Sequence, residues 1–77
     1  MTLKEKLQSL LAEDAITAAN YFGLDFVDDY QNEDEDILDF LTEKFFDIEM
    51  LWVDGKDIEV PVKEALNGAI QMIEERK

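Results

Sequence analysis

Carboxylates dominate the chemistry that this chain can offer. The 77 residues include 20 aspartates and glutamates but no histidine and no cysteine. Histidine is the commonest general base and metal ligand, and thiolates serve as nucleophiles and zinc ligands. Paired carboxylates can catalyse hydrolysis only in a shaped pocket that separates their pKa values, and 20 acids produce such pairs by chance. No glycine-rich phosphate loop is present. The sequence therefore predicts that the protein is not an enzyme.

One set of oxygen-bearing residues has the spacing of a calcium-binding loop. Asn32, Asp34, Asp36 and Glu43 occupy positions one, three, five and twelve of that pattern, which supply side-chain ligands. Position six requires glycine for a sharp turn, but here it is Ile37. The residues that follow also have the periodicity of an amphipathic helix, which cannot wrap around an ion. We therefore expect no specific metal site and no cofactor.

The negative charge is concentrated in the centre of the chain. Fourteen of the 20 acids lie between Asp25 and Glu59, where Lys44 and Lys56 are the only bases, and the formal net charge is −13. Such a field repels nucleic acids and anionic membranes and attracts basic surfaces over a screening length of about 8 Å. A hydrophobic content of 47% is too high for a disordered acidic tail. We expect one acidic globular domain spanning residues 1–77, and a cytoplasmic location because no signal-peptide pattern or long apolar run is present.

Helices are predicted at the start of the chain. Thr2 followed by Glu5 is a capping box that begins a first helix. That helix either runs unbroken to Phe22 or restarts with Asp14 as a second cap. Residues 24–30 mix apolar and acidic side chains, which we interpret as an extended connection or a short strand.

A central acidic helix is predicted to follow. Asn32 can cap it, with Glu35 in the reciprocal capping position. Asp36, Asp39 and Glu43 then stack at i, i+3 and i+7, and so form an acidic row facing water. The opposite arc carries Ile37, Leu38, Phe40, Leu41 and Phe45.

A β-hairpin is predicted next, because Asp54-Gly55 is the dipeptide that a tight two-residue turn requires. The register of that hairpin assigns Trp52, Asp57 and Glu59 to one face. It assigns to the core face the residues Leu51, Val53, Ile58 and Val60.

A final helix is predicted from Pro61, which suits a first helical turn. Arg76 suits its negative C-terminal end, and Gly68 indicates close packing. Its apolar stripe consists of Val62, Leu66, Ala69, Ile70 and Ile73. Together the elements predict an α+β domain with N-terminal helices, an acidic central helix, one hairpin and a C-terminal helix. The alternative is an all-α bundle, because the hairpin region is short.

The length, acidity and helix-rich pattern resemble those of acyl carrier proteins. The similar stretch is residues 26–30, FVDDY, leading into a helix that ends at residues 43–46, EKFF. That family attaches phosphopantetheine to a serine in an Asp-Ser-Leu-type motif opening the helix. Here the stretch is residues 32–36, NEDED, without a serine. The resemblance implies a degenerate carrier-like protein that lacks the attachment residue.

Two other functions are compatible with the charge. The first is a small inhibitor that presents acids to a basic, nucleic-acid-binding protein, as DNA- or RNA-mimic inhibitors of restriction, CRISPR or repair enzymes do. The second is an immunity or antitoxin protein that neutralises a basic toxin. Beyond these two, a generic small phage or bacterial accessory protein is the remaining alternative. Trp52 is either covered or an exposed interface anchor. The residues expected to bind a partner are Asp28, Asp29, Glu33, Asp34, Asp36, Asp39, Glu43, Trp52, Asp57 and Glu59.

Overall fold

The fold is all-helical within the residues that the structure, a computed structural model, describes: 2–22, 26–30 and 34–76. The helices are α1 (Leu3–Leu11), α2 (Ala15–Tyr21), α3 (Val27–Tyr30), α4 (Glu35–Val53) and α5 (Glu59–Glu75). These ranges contain no β-strand. The predicted α+β class is therefore wrong, and the all-helical alternative is correct.

Two separate caps start α1 and α2. The Glu5 N–H donates to Oγ1 of Thr2, and the Thr2 N–H donates to Oε1 of Glu5, both at 3.2 Å. This confirms the predicted capping box. Asp14 accepts from the N–H of Thr17 and from its hydroxyl, both at 2.8 Å. The chain therefore restarts at Asp14 rather than running unbroken to Phe22.

The central helix α4 begins later and ends later than predicted. Its N-cap is Asp34, whose Oδ1 accepts from the N–H of Ile37 at 3.3 Å. The prediction that Asn32 caps this helix is wrong, because helical geometry starts only at Glu35; Asn32 itself lies outside the described residues. The helix then continues through Val53, across the segment predicted to be the first strand of the hairpin.

Gly55 ends α4 instead of turning a hairpin. Its φ is 78°, whereas Asp54 keeps a right-handed helical φ of −75°. A type I′ hairpin turn requires positive φ at both positions. The Gly55 N–H donates to the carbonyl of Trp52 at 2.9 Å, and the Lys56 N–H donates to the carbonyl of Leu51 at 3.0 Å. This pair of bonds is the Schellman motif, which satisfies the last carbonyls of a helix.

The helical geometry overturns the predicted core face of the hairpin. Residues two apart in an α-helix point about 200° apart, so they cannot share one face. Val53 and Val60, both assigned to the core, are exposed by 82% and 61%, and Leu51 is half-buried. Ile58 is buried, but as the N-cap residue of α5.

The predicted strand over residues 24–30 is wrong where the structure describes it. Residues 27–30 form the single turn of α3. Phe26 and Tyr30 are buried four residues apart, and their ring centroids lie 5.1 Å from each other. Spacing of four places both rings on one side of a helical turn. Residues 24 and 25 lie outside the described ranges.

Helix α5 is the central packing element, because α1, α2 and α4 all pack against it. Its buried residues are Val62, Ala65, Leu66, Ala69 and Ile70, with Ile73 half-buried. Pro61 lies in the first turn, as predicted. A Cβ atom on Gly68 would lie 3.0 Å from Cζ of Phe40 on α4. The prediction that Gly68 marks close packing is confirmed.

Candidate protein-binding surface

An acidic row runs along the outer face of α4. Asp36, Asp39 and Glu43 are exposed, as the helical spacing predicts. Because α4 continues to Val53, Asp47 joins them one turn beyond Glu43 and is also exposed. Residues one turn apart lie about 5 to 6 Å from each other on a helix. The sequence reasoning did not include Asp47 because it placed the end of the helix near Phe46.

The N-terminal end of this row is partly neutralised within the chain. Arg76, just after α5, forms an ion pair with Asp34 and donates from Nη2 to Oδ2 of Asp36 at 3.0 Å. The hydrogen bond from Arg76 is the main reason that the pKa of Asp34 is lowered, although partial desolvation acts in the opposite direction. Asp34 and Asp36 were both predicted to bind a partner. Their carboxylates already pair with Arg76 within the chain, so they are less available to a partner.

The rest of the row has no basic partner in the part of the chain that the structure describes. Within the described part of the chain, Asp39, Glu43 and Asp47 take part in no ion pair. Lys44, the nearest base in sequence, places its ammonium over the Phe40 ring, 5.6 Å from the centroid. These three carboxylates are therefore exposed to solvent without an ion-pair partner among the described residues.

The predicted partner-binding acids that precede α4 do not belong to the acidic row. Asp28 and Asp29 are exposed on α3, and the Tyr21 hydroxyl donates to Oδ2 of Asp29 at 2.6 Å. Glu33 lies outside the described residues.

The acids at the start of α5 have local partners as well. Asp57 accepts from the Glu59 N–H at 2.9 Å, and Glu59 pairs with Lys63 at 3.2 Å. The prediction that Asp57 and Glu59 share a hairpin face with Trp52 is wrong, because Gly55 separates two helices rather than two strands.

An apolar groove of about 650 Å³ lies between α2 and the second half of α4. Its residues are Ala19, Asn20, Phe22, Thr42, Phe45, Phe46, Ile48, Glu49, Trp52 and Val53. Phe22 and Phe45 are buried, and their rings stack with centroids 4.2 Å apart. Phe46 and Val53 are exposed by 61% and 82%. The groove thus has a packed aromatic base and solvent-exposed apolar walls.

Trp52 lies in this groove and is 39% exposed. It is therefore neither fully covered nor a free surface anchor. The sequence reasoning missed its neighbours Phe46 and Val53. A signal was present, because Phe46, Met50 and Val53 recur at i, i+4 and i+7. That stripe of apolar residues on the outer face becomes visible only if α4 is extended to Val53.

Asp34, Asp36 and Glu43, the candidate metal ligands among the described residues, are not grouped around a common point, and Asn32 lies outside those residues. Ile37, at the position that a calcium loop needs for glycine, is fully buried in the first turn of α4. Asp34 and Asp36 are bonded to Arg76. Among the residues described, no group of three or more acids is placed to hold a metal.

Comparison with models of protein families, with curated proteins and with solved structures finds no match for this chain. No helix in the described ranges has both the length and the apolar composition needed to cross a membrane.

Proposed function

We propose that this protein binds a basic surface of a nucleic-acid-binding protein and competes there with DNA or RNA, acting as an inhibitor rather than an enzyme. The observation that supports this proposal is the part of the acidic row that has no ion-pair partner among the described residues, formed by Asp39, Glu43 and Asp47 on helix α4. The proposal includes a cytoplasmic partner and no direct contact with nucleic acid or membrane.

The geometry of the row fits that role. Three carboxylates repeat at one-turn intervals of about 5 to 6 Å, which is of the same order as the separation of phosphates along a strand. Holding them on one helix gives the charges fixed positions, whereas a disordered acidic tail would have to be ordered on binding. A net charge of −13 adds a long-range field that speeds encounter with a basic surface.

Capture from cell lysate at low and high salt tests this proposal. Three preparations are compared: the wild type, a row variant (Asp39→Asn, Glu43→Gln and Asp47→Asn), and a control variant with the same change in net charge. The control neutralises three exposed acids that line no pocket with the row, Glu13→Gln, Glu74→Gln and Glu75→Gln.

The expected partner binds nucleic acid and is released by added duplex DNA or RNA. The row variant should bind it with a slower association rate and a shallower salt dependence, whereas the control variant should behave more like the wild type. Equal association rates and salt slopes for the two variants would show that only the net charge matters, and would contradict a role for the row.

A further inference from the structure

We propose that the groove between α2 and α4 receives the apolar face of a basic amphipathic helix of the partner protein. This inference rests on the proposed function and specifies which structural element of the partner is bound. It accounts for the apolar surface, which attraction between charges alone leaves unexplained.

The apolar walls of the groove are the first reason. Phe46 and Val53 are largely exposed, and Trp52 is partly exposed. They adjoin the buried Phe22 and Phe45 rather than standing alone on a polar surface. Contiguous exposed apolar surface on a small domain marks an interaction site more often than scattered single residues do. Aromatic residues in such a position are typical anchors of protein interfaces.

The charges around the groove indicate a basic occupant. Glu49 lines the groove, and Glu43 lies one turn before Phe46 on α4. Among the described residues that line it, none is a lysine or an arginine. A segment that carries apolar side chains flanked by Lys or Arg matches both the apolar walls of the groove and the acids beside it. A second copy of the chain does not, because its own acidic residues and net charge of −13 would be brought against these acids.

The length of the groove indicates a helical occupant. Its residues on α4 run from Thr42 to Val53, about 16 Å along the axis, which corresponds to roughly three helical turns. An amphipathic helix presents anchors at i, i+4 and i+7, over a similar distance. Phe46 and Val53 have that same spacing on α4.

Synthetic peptides without tryptophan test the proposal, because Trp52 is the only tryptophan in the chain and lies in the groove. The patterned peptide has about 18 residues, with leucines at helical spacing and lysines elsewhere. A shuffled peptide has the same composition but no apolar helical face. In a third peptide, glutamine replaces every lysine of the patterned one. Fluorescence of Trp52 is measured during titration at low and physiological salt.

The patterned peptide should shift Trp52 emission to shorter wavelength and bind about tenfold more tightly than the shuffled one. Val53→Ser should weaken this binding, whereas Val60→Ser should not. The control is matched, because Val60 is also exposed but does not line the groove. Phe46→Ser should weaken binding further. Since Val53 and Phe46 are mostly exposed, the fold should tolerate both substitutions, which circular dichroism checks.

Four outcomes would overturn the inference. Equal affinity for the patterned and shuffled peptides would show that only charge is recognised, and would leave the proposed function standing. Equal affinity for the glutamine peptide and the patterned peptide would show that the occupant need not be basic. A dimer in sedimentation, dissociated by Val53→Ser but not by Val60→Ser, would identify a second copy as the occupant. Full binding by the Val53→Ser, Phe46→Ser double variant would place binding elsewhere.

Failure of the proposed function would give a different result. In that case the patterned peptide would bind the row variant and the wild type with the same affinity and the same salt dependence. The shuffled peptide would also bind these two proteins equally.

Discussion

Arg76 and Asp36 join the end of α5 to the start of α4 through a hydrogen bond of 3.0 Å between Nη2 and Oδ2. The same guanidinium lowers the pKa of Asp34. The two carboxylates are forty or more residues from Arg76 in sequence. The contact therefore holds together two helices that share the core, and it makes stability depend on pH in a defined direction.

Acid should weaken this link. A pKa that is lower in the folded protein stabilises the fold above the unfolded aspartate pKa of about 3.9, and this stabilisation is lost as the pH falls through the folded pKa. Arg76→Gln should therefore lower the free energy of unfolding near neutral pH, and the difference from wild type should shrink below about pH 3.9. Urea unfolding over this pH range measures it. A difference that stays constant with pH would assign the effect to packing of the Arg76 side chain.

Gly55 should be sensitive to substitution through its backbone alone. Its φ of 78° is unfavourable for residues with a Cβ, and apart from its chain neighbours no described residue has a heavy atom within 4 Å of the position that a Cβ would take. Gly55→Ala should therefore destabilise the fold by about 1 kcal/mol, and Gly55→Asn by less, since asparagine tolerates this conformation better. Urea unfolding compares the two. An unchanged stability of Gly55→Ala would contradict the cap geometry at the end of α4.

The effect of substituting Gly68 on stability should depend on steric contact with a neighbouring side chain, not on backbone conformation as at Gly55. A Cβ there would meet Phe40 at 3.0 Å, but alanine in a helix is favoured over glycine by about 1 kcal/mol. We expect Gly68→Ala to be nearly neutral in the wild type and stabilising when Phe40 is replaced by Leu. A double-mutant cycle by thermal unfolding gives the coupling. Strictly additive effects would show that Phe40 moves away without cost.

Repulsion along α4 should make stability depend on salt. Asp39, Glu43 and Asp47 follow one another at i, i+4 spacing, and like charges at that spacing destabilise a helix by about 0.2–0.5 kcal/mol per pair. Added sodium chloride should therefore raise Tm in the wild type. The row variant should have a higher Tm than the wild type at low salt and a similar Tm at high salt. A wild-type Tm that does not respond to salt would show that the charges are already well separated.

Local signals in the sequence predicted the parts of the fold that depend on neighbouring residues. The Thr2 and Glu5 capping box needs only side chains within three residues, and so does the cap at Asp14, which was one of two alternatives that the sequence left open. The need for positive φ at Gly55 was also correct, but a hairpin and a helix end use the same residue. Which of the two forms depends on how the flanking segments pack in the folded domain, and residues 54 and 55 carry no signal for that packing.

The part of the candidate surface that depends on local helical spacing was also predictable, and the part that depends on packing was not. The acidic row on α4 follows from helical spacing, so Asp39 and Glu43 were placed correctly on an exposed face. The ion pairing of Asp34 and Asp36 with Arg76 has no local signature, because it depends on how α4 and α5 pack. The groove depends on the true end of α4, since Val53 belongs to the same outer stripe as Phe46 only if the helix continues that far.

The packing of α1 against α5 has a consequence for how the chain folds. Lys4 on α1 and Glu74 on α5 form an ion pair at 3.4 Å, although most of the chain separates them. During synthesis, at about 5–20 residues per second, the apolar side chains of α1 emerge before the helix that covers them. Closing such a long loop costs entropy before any contact compensates for it. We expect α4 and α5, which are adjacent in sequence, to associate first, and the docking of α1 to be the slow step.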